Sequence, residues 1–135
     1  MQEAKNPARK KNSRKTPFNI LIADDSVLLR KRLIALLNEN GWKSHIFESR
    51  DVPTTLAALK KHRPRVIILD LNMPGGGGYK ALKQIKSEEQ APVVIVFTNY
   101  PRSVYRERCR AAGAEYFLDK SSEFRLIPGL LAGLE

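Results

Sequence analysis

Cysteine is almost absent from this chain, which has one, Cys109, among 135 residues. A single cysteine excludes an internal disulfide and suits a reducing compartment, so we expect the protein in the cytoplasm. No apolar run approaches the length of a membrane span, and no charged-then-apolar leader opens the chain. We therefore expect no membrane insertion.

Acidic residues are outnumbered by basic ones, 14 to 24, which leaves a net charge of +10. Residues 1–17 carry six of the basic side chains, one acid and no apolar periodicity, which predicts a disordered basic arm. Residues 18–135 are then expected to form one domain, since a chain of this length has room for a single core. One interpretation of the arm is that residues 5–15 contact nucleic acid or an acidic partner. The other is a solubilising tail or expression remnant, which the lack of interleaved aromatic residues favours.

From residue 18 onward, short apolar runs alternate with helical patterns. Strands are predicted at Ile20–Ala23, Lys43–Phe47, Val66–Leu69, Val93–Phe97 and Glu115–Leu118. Helices are predicted at Ser26–Asn40, from the turn containing Pro53 to just before Pro64, at Tyr79–Glu88, at Ser103–Ala112, and onward from a cap at Ser122. Pro128 either kinks the last helix or marks its first turn. Five strands alternating with five helices predict an α/β fold, a parallel sheet covered by helices on both faces.

Three acidic residues directly follow apolar strands: Asp24 and Asp25 after the first, and Asp70 after the third. The carboxyl ends of parallel strands meet at one edge of a sheet, where ligands bind. Three carboxylates brought together there repel one another unless a hard cation neutralises them, so the pattern predicts a Mg²⁺-binding pocket. Capping of the next helix is the alternative for Asp24 and Asp25, but Ser26 already offers that cap, and capping leaves Asp70 unexplained.

Two further polar side chains follow predicted strands: Thr98 after the fourth and Lys120 after the fifth. With these, the three aspartates and the loop Asp70-Leu-Asn-Met-Pro-Gly, residues 19–134 resemble a CheY-like receiver domain of two-component response regulators. The resemblance implies a flavodoxin-like, doubly wound (βα)5 three-layer sandwich with strand order 2-1-3-4-5. We expect a stand-alone signalling phosphoacceptor in a phosphorelay, with self-phosphotransfer and autodephosphorylation as its chemistry, and not an enzyme.

Phosphoryl transfer needs a nucleophile and positive charge on the equatorial oxygens. Asp70 is the natural nucleophile, Lys120 supplies a mobile charge, and Thr98 supplies a hydroxyl donor. The predicted ligands of Mg²⁺ are Asp24, Asp25, Asp70 and the backbone carbonyl of Asn72. The resemblance assigns the same roles to these residues. It also implies that the donor is a phosphohistidine on a sensor histidine kinase or a histidine phosphotransfer protein.

The resemblance implies a switch as well, in which the hydroxyl after the fourth strand moves toward the phosphate and an aromatic residue of the fifth strand turns inward. Thr98 and Tyr116 are assigned to those positions. The signal then reaches the surface of the fourth helix, fifth strand and fifth helix, where a downstream protein binds. Three arginines recur there every four residues, Arg102, Arg106 and Arg110. One interpretation is that an acidic or nucleic-acid partner binds these arginines; the other, which we favour, is a solvated basic face.

Some residues depart from the family pattern. Asn99 and Tyr100 make the pocket mouth bulkier than usual, and Ser121 replaces the frequent proline after Lys120, so we expect no cis bond there. These departures leave the rate and lifetime of phosphorylation open. The glycines from Gly75 to Gly78 fit no phosphate-binding loop spacing and predict a flexible connection.

Two other function classes stay open. An aspartate-based phosphatase or phosphotransferase usually has a second aspartate two residues after its nucleophile, where this chain has Asn72. A basic nucleic-acid-binding or scaffolding protein would use the receiver fold without phosphorylation. Its binding to RNA or DNA would weaken with salt and would not depend on Asp70.

Overall fold

The computed structural model describes residues 18–42, 45–75, 77–99 and 102–135, without the side chains of residues 102–104. The predicted basic arm at residues 1–17, Tyr100 and the side chain of Arg102 therefore lie outside the described residues. None of the helices in these ranges has both the length and the hydropathy of a membrane span.

Five parallel strands form one sheet in the part of the chain that the structure describes. They are β1 (Ile20–Ala23), β2 (Ile46–Ser49), β3 (Val66–Leu69), β4 (Val93–Thr98) and β5 (Tyr116–Asp119). The order β2-β1-β3-β4-β5 confirms the flavodoxin-like topology. Ala23 pairs in register with Ser49 and Leu69, so the residues that follow these three strands meet at one edge of the sheet.

Helices cover both faces of the sheet, as predicted. They are α1 (Val27–Asn38), α2 (Val52–His62), α3 (Gly78–Lys86), α4 (Arg102–Ala111) and α5 (Ile127–Gly133), with a 3₁₀ helix at Phe124–Leu126. The side chains of β1 show the two faces: Leu21 and Ala23 join the core under α2, α3 and α4, whereas Ile20 and Ile22 join the core under α1 and α5. This alternation with period two produces the three-layer sandwich.

Most helices and strands begin or end within two residues of the prediction, and β2, β5 and the last helix show the differences that matter most. β2 begins at Ile46, and the predicted start at Lys43 lies outside the described residues. β5 begins and ends one residue later than predicted. The last helix does not begin after a cap at Ser122, because the chain first forms the 3₁₀ helix, and α5 starts at Ile127 with Pro128 in its first turn. Proline suits that position because its missing N–H needs no partner there.

Two side chains set where helices begin beside the carboxyl edge of the sheet. Ser26 Oγ accepts from Leu29 N at 3.2 Å, as predicted for the cap of α1. Asp51 Oδ1 accepts from Thr54 N at 2.8 Å as part of a capping box that starts α2. These bonds satisfy N–H groups that have no partner within the helix, and so fix the first turns next to β1 and β2.

Candidate functional site

Three carboxylates lie together at the carboxyl edge of the sheet. Asp24 and Asp25 follow β1, Asp70 follows β3, and one oxygen from each lies within 4.8 Å of the others. Asp24 and Asp70 are 2% and 3% exposed, while Asp25 is exposed. The structure thus brings the three predicted carboxylate ligands into one group.

The backbone holds the two buried aspartates in place. Asp24 N donates to the last carbonyl of β2 at 3.0 Å, and Asp70 N donates to the last carbonyl of β1 at 2.9 Å. These bonds extend the sheet by one step beyond the strands. In the side chains, Asp24 Oδ1 accepts from Ser26 N at 2.9 Å, and Asp70 Oδ1 accepts from Asn72 N at 3.2 Å. One oxygen of each buried carboxylate is therefore oriented by the backbone that follows it.

Lys120 meets the other oxygen of both buried carboxylates. Its Nζ lies 2.7 Å from Asp24 Oδ2 and 3.4 Å from Asp70 Oδ2, and its side chain is 14% exposed. Its backbone N–H donates to the carbonyl of Thr98 at 3.1 Å, which ties the end of β5 to the end of β4. The ammonium group thus offsets part of the carboxylate charge in a place that salt screens little.

Burial raises the pKa of Asp70, and the neighbouring carboxylate of Asp24 raises it further. Lys120 and the N–H of Asn72 lower the pKa without cancelling the rise. Ionised Asp70 is therefore electrostatically unfavourable in the pocket without a metal. A divalent cation among the carboxylates would offset that cost, and a donor set made of oxygens suits Mg²⁺.

A cavity of about 240 Å³ gives access to Asp70. Its lining is formed by Asp70, Asn72, Thr98 and Asn99. Thr98 ends β4 and is buried, whereas Asn99 is exposed at the position where a bulky pocket mouth was predicted. The Asp70 carboxylate therefore borders a cavity large enough for a small polar ligand.

Arg30 contacts the site and was not predicted from the sequence. Its Nη1 donates to the carbonyl of Asp24, and its Nε donates to Glu48 Oε1 at 2.8 Å. The side chain of Arg30 is 12% exposed, so α1 and β2 are linked through it to the turn that carries the aspartates. A hydrogen bond to a backbone carbonyl leaves no signature in the sequence, apart from a basic residue in the first turn of α1.

The structure does not bring Tyr116 together with Thr98, and the assignment of Tyr116 as the inward-turning aromatic is corrected. In register, Val96 pairs with Phe117 and Thr98 pairs with Asp119, so Thr98 and Phe117 point to the same face of the sheet. Tyr116, one residue earlier, points to the other face and is 36% exposed. Phe117 is therefore the aromatic residue of β5 that shares a face with Thr98, and it is buried.

Two of the three arginines predicted to form a partner surface have described side chains, Arg106 and Arg110. Arg106 Nη2 donates to the carbonyl of Phe117 at 3.4 Å, and its guanidinium carbon lies 5.7 Å from the centre of the Phe117 ring. Arg110 is exposed. Both side chains line a cavity of about 210 Å³ between α4 and β5. Arg106 thus ties α4 to Phe117, while Arg110 presents its charge to solvent.

The glycine-rich loop before α3 is closely packed at Gly75 and Gly78, whereas a Cβ on Gly77 would meet nothing within 4 Å. A Cβ on Gly78 would lie 2.3 Å from Leu71 Cα, and Gly78 N donates to the carbonyl of Leu71 at 2.9 Å. A Cβ on Gly75 would lie 2.7 Å from Pro53 Cδ at the start of α2. Glycine is therefore needed here because backbone and neighbouring side chains approach closely.

Comparison with known proteins finds related sequences and solved structures with the same fold. The family model described as response regulator receiver domain matches residues 20–131. The transcriptional regulatory protein PdtaR of Mycobacterium tuberculosis (strain H37Rv) is 33% identical over 115 residues, which are 84% of this chain and 55% of PdtaR. The chain therefore spans about half the length of this curated relative.

Solved structures of receiver domains have the same fold as this chain. The signal receiver domain of a DNA-binding response regulator from Colwellia psychrerythraea 34H is 28% identical with a TM-score of 0.79, and the match covers 87% of this chain and 97% of that one. The isolated REC domain of RcsB from Salmonella enterica serovar Typhimurium is 26% identical with a TM-score of 0.79, and the match covers 88% of both chains.

Proposed function

This chain belongs to the response regulator receiver family of two-component signalling proteins, and from that premise we propose that Asp70 is its phosphoacceptor. The donor is a phosphohistidine on a sensor histidine kinase or a histidine phosphotransfer protein. An oxygen of the Asp70 carboxylate attacks the phosphorus, the bond from phosphorus to the histidine nitrogen breaks, and Asp70 becomes an acyl phosphate. The chain acts in the cytoplasm as a signalling phosphoacceptor, and its own chemistry is limited to taking up this group and losing it to water.

Mg²⁺ is the cofactor that fits the carboxylate group. The proposed ligands are Asp24, Asp25, Asp70 and the backbone carbonyl of Asn72. When bound, the ion supplies positive charge to carboxylate and phosphoryl oxygens. Lys120 Nζ lies 3.4 Å from Asp70 Oδ2 and can donate to a phosphoryl oxygen on that carboxylate after a small movement. The Thr98 hydroxyl, in the lining of the same cavity, donates to another.

The observation that carries this proposal is the meeting of Lys120 Nζ with the buried carboxylates of Asp24 and Asp70 beside a cavity. Incubation with acetyl phosphate and Mg²⁺, followed by intact-mass measurement, tests it. Wild type should gain the mass of one phosphoryl group, whereas Asp70→Asn, or wild type in EDTA, should not. Asp51→Asn is the matched control, because Asp51 caps α2 outside the carboxylate group and should leave phosphorylation intact. A phosphorylated Asp70→Asn or an unreactive wild type would contradict the proposal.

Exposed apolar side chains beside the pocket support a protein donor. Val27 and Leu28, in the first turn of α1, are 55% and 69% exposed, and Leu126 in the 3₁₀ helix is 52% exposed. The two segments are neighbours, since the Arg32 guanidinium carbon lies 5.2 Å from the centre of the Phe124 ring. Large exposed apolar residues next to a reactive group are typical of a docking surface. We assign this surface to the kinase or phosphotransfer protein.

In this proposal, Thr98 and Phe117 transmit the effect of phosphorylation to the partner-binding surface. Phosphorylation draws the Thr98 hydroxyl toward the pocket, and Phe117 on the same face follows. Arg106 transmits the change, because it contacts both the ring and the carbonyl of Phe117. A downstream protein binds the surface of α4, β5 and α5, where exposed Arg110 favours an acidic partner.

A further inference from the structure

The turn that carries Lys120 is closed by hydrogen bonds that the proposed chemistry does not itself use. Asp119 Oδ1 accepts from Ser121 N at 2.8 Å and from Ser121 Oγ at 2.6 Å. Glu123 Oε1 accepts from Asp119 N at 2.8 Å, and Glu123 N donates to the carbonyl of Asp119 at 2.9 Å. Lys120 lies inside this set of bonds.

The position of β5 in the sheet explains why Glu123 reaches the backbone of Asp119. β5 is the last strand in the sheet order, and an edge strand leaves alternate N–H groups without a partner strand. Lys120 N points inward and donates to the carbonyl of Thr98 at 3.1 Å, whereas Asp119 N points outward and is satisfied by Glu123. The backbone at Lys120 is thus held from β4 on one side and from Glu123 on the other.

We propose that Glu123 and Asp119 are positioning residues that hold Lys120 for phosphoryl transfer, an inference that rests on the proposed function. The Lys120–Ser121 peptide is trans, and Ser121 does not restrict the backbone as proline would. The hydrogen bonds supply that restraint instead. A lysine side chain is long and flexible. Holding the backbone of Lys120 in place therefore favours the conformations in which Nζ contacts the carboxylates of Asp24 and Asp70.

A double-mutant cycle separates positioning from a purely structural role. The four proteins are wild type, Glu123→Ala, Lys120→Ala and the double variant. Phosphorylation by acetyl phosphate in saturating Mg²⁺ is followed by intact mass over a range of acetyl phosphate concentrations. Glu123→Ala should lower the maximal rate about ten- to a hundredfold, with little change in the half-saturating concentration. The double variant should be no slower than Lys120→Ala alone, because Glu123 acts through Lys120.

Three further variants test whether the loss of rate comes from the loss of these hydrogen bonds. Glu123→Gln keeps a side-chain oxygen that can accept from Asp119 N, so it should restore most of the rate. Glu89→Ala removes an exposed glutamate after α3 and should react as wild type does. If Glu123→Ala melts below the assay temperature, Ser121→Ala removes the 2.6 Å bond alone and should lower the rate by a smaller factor. Mg²⁺ affinity, measured by calorimetry, should be unchanged in Glu123→Ala, Glu123→Gln and Ser121→Ala, because the three carboxylates and Lys120 remain.

Two results would overturn the positioning role while wild type reacts normally: a wild-type rate in Glu123→Ala, or a double variant slower than Lys120→Ala by the full Glu123→Ala factor. A wild type that gains no phosphoryl mass would instead overturn the proposed function, and the positioning role with it.

Discussion

Replacing Asp70 by asparagine should stabilise the metal-free protein at neutral pH. Burial and the Asp24 carboxylate raise the pKa of Asp70, so ionising Asp70 is less favourable in the folded chain than in the unfolded one. This cost is absent in acid, grows as the pH rises from the ordinary aspartate range through the raised pKa, and is complete above it. Asparagine has nearly the same shape without the charge. The free energy of unfolding of Asp70→Asn should therefore exceed that of wild type by an amount that grows with pH over the same range.

In Mg²⁺, wild type should become more stable than Asp70→Asn. A metal that binds only the folded state stabilises it by about 2.7 kcal/mol at one hundred times its dissociation constant. The 118 residues of the predicted domain, 18–135, should unfold with an entropy of about 0.25 kcal/mol per kelvin, so wild type should melt about 11 °C higher at that Mg²⁺ concentration. Asp70→Asn has lost one of three carboxylates and should lose most of this gain.

Thermal melts followed by circular dichroism, in EDTA and in Mg²⁺ across a pH series, measure both effects. Asp51→Asn is the control, because it weakens the cap of α2 but should respond to Mg²⁺ as wild type does. The reasoning is refuted if Asp70→Asn is less stable than wild type in EDTA at neutral pH. It is also refuted if Mg²⁺ raises the melting temperature of both proteins equally.

Gly78→Ala should lower the free energy of unfolding by about 1–3 kcal/mol or more in urea titrations, because its Cβ would lie 2.3 Å from Leu71 Cα; an unchanged midpoint would count against the packing described. Burial raises the pKa of the Cys109 thiol to about 11, so a thiol reagent near pH 8 should react with Cys109 only when urea unfolds the chain. Rapid reaction of the native protein would contradict that. Arg110→Glu should weaken capture of an acidic downstream partner, measured by interferometry, and unchanged affinity would remove Arg110 from the proposed surface. Salt-dependent RNA binding that is the same in wild type and Asp70→Asn would favour the alternative nucleic-acid function.

The fold and the acidic pocket could be predicted because both follow from local patterns. Buried strands appear in the sequence as short apolar runs. A charged residue directly after such a run has no role in packing and therefore indicates a site. Asp24, Asp25, Asp70 and Lys120 are charged residues that closely follow such runs, and the hydroxyl residue Thr98 directly follows another. Parallel topology alone brings these strand ends together.

Other features could not be predicted because they depend on strand register and on hydrogen bonds between residues of different elements. The choice between Tyr116 and Phe117 depends on the register of β5 against β4, and a shift of one residue moves a side chain to the other face. The start of α5 was placed too early because Ser122 is a good cap by type, whereas the hydrogen bonds of Asp119 and Glu123 hold that segment in a turn. Arg30 acts through a backbone carbonyl, which no residue pattern reveals.

The central claim is that the acyl phosphate forms on Asp70, and the site of modification can be located directly. After reaction with acetyl phosphate and Mg²⁺, borohydride reduces an aspartyl phosphate to homoserine, and peptide mass spectrometry then identifies the converted residue. We predict homoserine at position 70 and nowhere else. Conversion at another aspartate, or none in a protein that has gained phosphoryl mass, would contradict the claim.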